Sequence, residues 1–302
     1  MTEVKNRIYI SGCGGMLGDA FYKEFKKDYK LRCTDINVEE DWISYLDFRD
    51  YELYRKDVIE FSPDYLFHLG AFTDLEYCEK NPLDTYSTNT KSVENATSIS
   101  NELKIPLLFI STAGIFNGKK ELYNDWDQPD PIGHYAKSKY LSEIYIKKNS
   151  HNYLICRAGW MMGGGPRKDK KFIQKLINQI KGGSKILYIV NDKLGTPTYT
   201  HDFAGNVKLL IEKQKTGLYN MVCQGATSRL EVAQQLVIEL KLKNNIIIKK
   251  VPSNFFKQEY FAPRPACERL VNKRLSEEGL DIMRDWKIAL KEYISTYYNN
   301  YL

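Results

Sequence analysis

Tyr135 and Lys139 stand four positions apart, so on a helix the phenol and the ammonium share one face. A phenol is a weak acid with an ordinary pKa of about 10, and a nearby ammonium eases the loss of its proton. Ser111 and Thr112 end a β-rich run upstream, where a hydroxyl can reach the same reacting oxygen. The chemistry that suits these groups is carbonyl reduction, in which the phenol protonates the oxygen while a nicotinamide donates hydride. In a chain with 22 tyrosines the Tyr-x-x-x-Lys spacing recurs by chance, and it does so at Tyr22 and Lys26. Context separates the two pairs. Tyr135 begins a helix downstream of STAGIF, whereas Tyr22 lies in the first helix, where a packing or surface pair is expected.

The segment SGCGGMLG, Ser11 to Gly18, joins the first strand to that first helix. Glycines at Gly12, Gly15 and Gly18, with Gly14 between, let backbone N–H groups approach a pyrophosphate, and Met16 and Leu17 open the helix whose positive dipole end stands behind it. Glycine also serves ordinary tight turns, but its place between strand and helix near the N-terminus favours dinucleotide binding. Asp35 ends the second strand, where a carboxylate accepts from the adenosine ribose hydroxyls and repels a 2′-phosphate. The expected cofactor is therefore NAD(H) or NADP(H), with NAD(H) favoured. Arg32 tempers that preference, although a solvent-facing side chain is its simpler reading. Asp47, in YLDFRD, is a candidate partner for the adenine amino group and as good a candidate for a helix N-cap.

The elements that must position these residues read as repeated βα units. Strands are expected at Arg7 to Ser11, Leu31 to Asp35, Tyr65 to Leu69, Pro106 to Ser111 and Tyr153 to Ala158, with helices near Met16 to Lys27, Asp50 to Phe61, Pro82 to Leu103 and His134 to Asn149. Strands that read as continuous apolar runs are buried on both faces. The fold class expected is α/β: a Rossmann-type, doubly wound parallel sheet with a smaller, discontinuous C-terminal substrate lobe. Residues 1–158 would form the dinucleotide-binding domain, with about 201–223 returning to it, and 159–200 together with 224–302 would form the lobe. In the lobe a helix is expected at about Phe172 to Lys181 and strands at about Lys185 to Val190 and Ile246 to Val251, with Leu218 to Val222 returning to the main sheet.

Composition narrows the function classes. The chain has 302 residues, 43% hydrophobic, enough for a sizeable core. Its excess of 44 Lys and Arg over 38 Asp and Glu permits phosphate-bearing ligands without demanding nucleic acid. The basic clusters at Lys23 to Lys30, Arg167 to Lys175 and Lys241 to Lys250 read as solvated faces, except that the second follows Gly163 to Gly165 and could attract a diphosphate. Six scattered cysteines form no CxxC pair, and the four histidines lack metal spacing, so no metal is expected. His68 reads as a satisfied core histidine. The N-terminus runs straight into a strand and leaves no room for a signal peptide, and apolar runs such as Ile105 to Ile110 are too short to span a bilayer. A cytoplasmic protein with reduced thiols is expected, without nucleic-acid or membrane partners.

On these residues the chain resembles an extended short-chain dehydrogenase/reductase. Within that superfamily it is similar to the dTDP-4-dehydrorhamnose reductases, which reduce the 4-keto group of a nucleotide-linked 6-deoxy sugar. The further motifs are GAFTDLEYCEKNP from Gly70, Asn89 in STNTKS, STAGIF from Ser111, ICRAGWMMGGG from Ile155, LGTPTYTHDFA from Leu194 and APRPACERL from Ala262. The resemblance implies a triad in which Thr112 polarises the keto oxygen, Tyr135 protonates it and Lys139 binds the nicotinamide ribose. It also implies Ala71 in the cofactor pocket, Thr73 and Trp160 on the substrate, Arg264 on its diphosphate, and a nucleotide-diphosphate sugar as partner, with a homodimer left open. A core aromatic is the plain alternative for Trp160 and a surface ion pair for Arg264.

Departures matter as much. Sugar-nucleotide dehydratases place Asp-Glu after the strand-end Thr, whereas Ala113 and Gly114 follow here, which disfavours dehydration. The same pair replaces the Asp-Tyr usual in the reductases and remodels the sugar pocket. A glutamate through which some relatives bridge a dimer by a metal is Ala20 here, so no metal is carried over. No cysteine stands where epimerase-reductases carry one. The alternatives are a nucleotide-sugar epimerase of the same superfamily and a non-catalytic regulatory subunit of the kind that serves methionine adenosyltransferase.

Overall fold

The strands β1 (Arg7–Ser11), β2 (Lys30–Asp35), β3 (Ile43–Tyr45), β4 (Tyr65–His68), β5 (Leu107–Thr112) and β6 (Tyr153–Ala158) are joined by helices, except that a loop joins β2 to β3; the first helix, α1, spans Met16–Phe25. In the computed structural model, which describes residues 5–299 and 301, they join Gly217–Asn220 in one parallel sheet of seven strands. The order is Gly217–Asn220, β6, β5, β4, β1, β2, β3.

Side-chain alternation explains why both faces are covered. Ile8, Ile10, Phe67, Leu108, Ile110 and Cys156 enter the core on one face, while Tyr9, Leu66, Leu107, Phe109 and Ile155 enter the core on the other. Phe21 and Phe25 of α1 and Phe203 of the Thr200–Glu212 helix cover the first face; the Tyr51–Phe61, Ser92–Leu103 and His134–Asn149 helices cover the second. Each large apolar side chain withdrawn from water in this way contributes about 1.5–3 kcal/mol before entropy is counted. The chain winds outward from β1 to β3 and then returns to place β4 on the other side of β1. Beyond Ser11 and His68 the connections diverge, and such a reversal of strand order opens a crevice at the C-terminal strand ends.

The doubly wound α/β sheet is therefore as expected, with most elements within two residues of their expected ends. Three local features differ. β3 is an edge strand of three residues with only Ile43 buried, too short to show a periodic pattern. The stretch read as one helix from Pro82 is broken into Pro82–Tyr86, a π-helical turn at Ser87–Lys91 and Ser92–Leu103. A short helix, Leu75–Lys80, precedes it, with Asp74 capping its N-terminus.

After β6 the chain builds small sheets beside the C-terminal strand ends. Ile186–Val190 pairs with Ile247–Val251, Trp160–Met162 pairs with Pro197–Tyr199, and Leu194–Gly195 lies between Thr227–Ser228 and Cys267–Glu268. All six cysteines are buried free thiols. No helix among the described residues is long and apolar enough to cross a membrane.

Candidate active site

The His134–Asn149 helix carries Tyr135 and Lys139, and its buried face is built from Ala136, Ser138, Lys139, Ser142, Glu143 and Ile146. Small and charged groups hold it in place of an apolar stripe. Arg157 of β6 forks onto Glu143 through two hydrogen bonds of 2.9 and 2.7 Å, with both side chains almost wholly buried. Gly133, the N-cap, has no side chain to satisfy the first turn, and Glu79 does so from the Leu75–Lys80 helix by accepting from the His134 N–H at 3.1 Å. Ser142 Oγ donates to the carbonyl of Asn89, whose side chain also bonds Ser138 and both backbone groups of Phe72. The π-helical turn that holds Asn89 thus ties the loop after β4, with Ala71 in it, to the helix of Tyr135.

These supports aim the phenol and ammonium at the end of β5. Burial pushes the Tyr135 phenol up, a shift that the Thr112 hydroxyl partly offsets, so near neutral pH the phenol holds its proton. Lys139 is 4% exposed, and its Nζ sits 4.1 Å from the ring centroid of Phe109. Desolvation draws its ammonium down to about 7, against the opposing pull of Glu143. Thr112 Oγ1 accepts from the Gly114 N–H at 3.1 Å. Tyr22 and Lys26, by contrast, are a packing pair: Lys26 lies over the Tyr22 ring, which stacks on Trp42.

At the strand-order reversal the glycines do different work. Gly12 has φ +83°, and a Cβ there would stand 2.2 Å from the backbone nitrogen of Gly70, so β1 and β4 could not approach as they do. A Cβ on Gly18 would meet the carbonyl of Cys13 at 2.2 Å. Gly15 is exposed, has nothing within 4 Å of its Cβ position and N-caps α1 without a side-chain bond. The N-terminus of α1 is therefore open at Gly15, while Met16 and Leu17 of its first turn are buried in the core. Asp35 accepts from the Gly14 N–H at 2.8 Å and from the Asn37 N–H at 2.8 Å, which ties the turn to the end of β2.

Three sequence readings are decided by these contacts. Asp47 is not a helix N-cap: Asp50 caps the Tyr51–Phe61 helix by accepting from the Leu53 N–H, while the Asp47 carboxylate is gripped by Arg49, which holds it below its ordinary range. Arg32 pairs with Asp57 at 2.6 Å instead of turning toward Asp35. His68 is a core histidine, with Nδ1 at 3.0 Å from Ser11 Oγ and Nε2 at 3.1 Å from Ser92 Oγ, and burial lowers it to about 3.

On the substrate side, Thr73 is exposed and its hydroxyl and carbonyl accept from Lys171. Arg264 forms an ion pair with Glu76 at 2.7 Å, the plainer of its two readings. Trp160 is half-buried, donates from Nε1 to Glu268 at 2.7 Å and carries the guanidinium of Arg229 3.7 Å over its ring. The basic run after Gly165 is engaged with protein: Arg167 and Lys168 face Glu40, and Lys171 reaches Thr73. The structure thus brings together Thr112, Tyr135 and Lys139, and places Trp160 and Glu268 across from them. Sequence reasoning missed Glu268, Arg229, Glu79 and the Glu143–Arg157 pair. Only Glu143 had a local signal, since it continues the i, i+4 spacing of Tyr135 and Lys139.

Residues 6–299 match the family model described as RmlD substrate binding domain. The chain belongs to this family. Among its relatives, the spore coat polysaccharide biosynthesis protein SpsK of Bacillus subtilis is 28% identical over 292 residues, covering 95% of this chain and 96% of that protein. A dTDP-4-dehydrorhamnose reductase structure from Yersinia enterocolitica is 32% identical with a TM-score of 0.86, covering 97% of this chain and 100% of that one. The Bacillus anthracis dTDP-4-dehydrorhamnose reductase, solved in complex with NADP, is 25% identical with a TM-score of 0.88 over 97% of this chain and 100% of that one.

Proposed function

We propose that this protein reduces the 4-keto group of a nucleotide-linked 6-deoxy sugar with a nicotinamide cofactor, in cytoplasmic deoxysugar or polysaccharide biosynthesis. The observation that carries the reading is a protonated, half-buried Tyr135 beside Thr112, with the buried Lys139 one turn along, at the same strand ends as the open glycine turn. Membership of the RmlD family and the relatives named as dTDP-4-dehydrorhamnose reductases support it. The bound nicotinamide dinucleotide supplies hydride to the sugar carbon.

Each side chain then has a separate task. Thr112 donates a hydrogen bond to the keto oxygen, and Tyr135 delivers the proton that the new hydroxyl needs. Lys139 favours the phenolate that remains and donates to the nicotinamide ribose. Gly14, Gly15, Met16 and Leu17 take the pyrophosphate, Asp35 the adenosine ribose and Asp47 the adenine edge, while Ala71 lines the pocket. Trp160, Thr73 and Arg264 border the sugar nucleotide, Arg264 reaching its diphosphate once Glu76 shares it. Residues 1–158 and 201–223 carry the cofactor, and 159–200 with 224–302 carry the substrate. Asp35 favours NADH, because a carboxylate repels a 2′-phosphate.

The test is a panel of 4-keto-6-deoxy nucleotide sugars assayed with NADH and NADPH, with products identified by NMR. Tyr135→Phe is expected to lower kcat at least about a hundredfold while cofactor affinity is kept. A Tyr135→Phe variant with wild-type turnover would remove the phenol from the mechanism.

A further inference from the structure

Glu268 is a carboxylate for which the proposed reduction has no stated use, and its position is built rather than incidental. Its strand, Cys267–Glu268, pairs with Leu194–Gly195. The next residue is held too: the carbonyl of Arg269 accepts from the Tyr123 N–H at 2.9 Å. Oε2 is committed to Trp160 Nε1 at 2.7 Å. Oε1 has no hydrogen-bond or ion-pair partner among the described residues and faces the gap left by Gly114. A Cβ placed on Gly114 would lie 3.2 Å from Glu268 Oε1 and 3.5 Å from Thr112 Oγ1, so both oxygens border the same small space. The negative charge of Glu268 also contributes to the upward shift of the Tyr135 phenol, which places the two groups within electrostatic range.

The chemistry of that space is asymmetric. Thr112 and Tyr135 present hydroxyl donors, which suit a carbonyl oxygen. An ionised carboxylate only accepts, so Oε1 suits a group that carries a proton and no developing charge. A ring carbon beside a 4-keto carbon, if hydroxylated, projects such a group one bond away from the carbonyl.

Resting on the reductase reading, we propose that Glu268 is a specificity-determining residue that accepts a hydrogen bond from the sugar hydroxyl vicinal to the reacting carbonyl. The preferred substrates are then α-hydroxyketones within the 4-keto sugar nucleotides, and sugars deoxygenated at that neighbour are rejected. Rejection follows because a deoxy sugar excludes water from Oε1 without replacing the hydrogen bond. Gly114 is the complementary device, since a side chain there would fill the space between carboxylate and hydroxyl.

The experiment compares kcat/KM for a 4-keto-6-deoxy nucleotide sugar and its analogue lacking the vicinal hydroxyl, in wild type, Glu268→Gln, Glu268→Ala and Gly114→Ala, in buffered D2O. Sites that bond a substrate hydroxyl reject analogues without it by up to about 10⁴–10⁵, and for the half-buried Glu268 a preference of at least about tenfold is expected. Glu268→Ala should reduce that preference below about threefold, Glu268→Gln should keep part of it, and Gly114→Ala should blunt it with the carboxylate still present. Equal turnover of both sugars by wild type, or full discrimination by Glu268→Ala, overturns the proposal while leaving the reductase reading intact. Deuterium on the ring carbon beside the carbonyl, lost in Glu268→Gln, also overturns it, because the carboxylate would then be acting as a base on carbon. Wild type that reduces neither sugar overturns the reductase reading, and this proposal with it.

Discussion

Replacing Gly15 by alanine separates the two kinds of work that glycine does in the Ser11–Gly18 turn. Gly15 has φ −84° and ψ −179°, an extended backbone that alanine adopts without strain, and its Cβ position has nothing within 4 Å. The fold should therefore tolerate the methyl group, and the loss of freedom in the unfolded chain should stabilise the protein by about 0.4–1 kcal/mol. Cofactor binding should behave otherwise. If a pyrophosphate rests against this backbone, the methyl holds it away from N–H donors of the first turn. Losing one hydrogen bond to a charged group costs about 1.5–3 kcal/mol, roughly ten- to a hundredfold in Kd. Gly12→Ala is the contrast, because a methyl at φ +83° and 2.2 Å from the Gly70 backbone has no flexible neighbour to displace. That variant should lose folded protein before binding can be measured. Thermal melting with NADH and NADPH titrations reads both effects. A Gly15→Ala protein that melts normally and binds both nucleotides within about twofold of wild type would refute the phosphate-turn assignment.

Three further outcomes follow from the geometry. Glu143→Gln leaves the nearly inaccessible Arg157 guanidinium without its counter-charge, and breaking such a pair costs about 3–5 kcal/mol; Glu143→Gln/Arg157→Met should recover much of the loss, and a single-variant loss under about 1 kcal/mol by denaturant unfolding contradicts the account. Asp35→Ala should shift the NADPH/NADH ratio of kcat/KM toward NADPH, and a wild type that already prefers NADPH strongly defeats that reading of the carboxylate. Lys139 is lowered from 10.5 to about 7, so the ammonium is progressively lost as pH rises through 7 in the free enzyme, and kcat/KM should fall across that range. Because the folded chain binds this proton more weakly than the unfolded chain, the same residue makes stability rise with pH between about 7 and 10.5. A flat kcat/KM profile from pH 6 to 9 would show that the charge on Lys139 is not used.

The chemistry-bearing pairs were legible because they are local. Tyr135 and Lys139 share a helix face by spacing alone, Thr112 ends an apolar run, and Gly12 to Gly18 sit where a strand turns into a helix. Strands buried on both faces read as continuous apolar runs, so the doubly wound sheet could be anticipated, with only the three-residue β3 too short to register. The helix of Tyr135 was anticipated over His134 to Asn149, but the face it buries was not. Its buried face carries Ser138, Lys139, Ser142 and Glu143, and a hydrophobic period cannot reveal a face that is packed with polar groups.

By itself the sequence determined the backbone preferences: where strands and turns form, and that a phenol, an ammonium and a hydroxyl lie near a glycine turn. Only the tertiary structure decided which side chains complete the site. Glu268 meets Trp160 across 108 residues of chain, Arg229 lies over the same ring, and Arg157 neutralises the carboxylate beneath the Lys139 helix. Turn geometry and helix spacing are set by neighbours a few residues apart, whereas the electrostatics of a buried site come from whichever charges packing brings together.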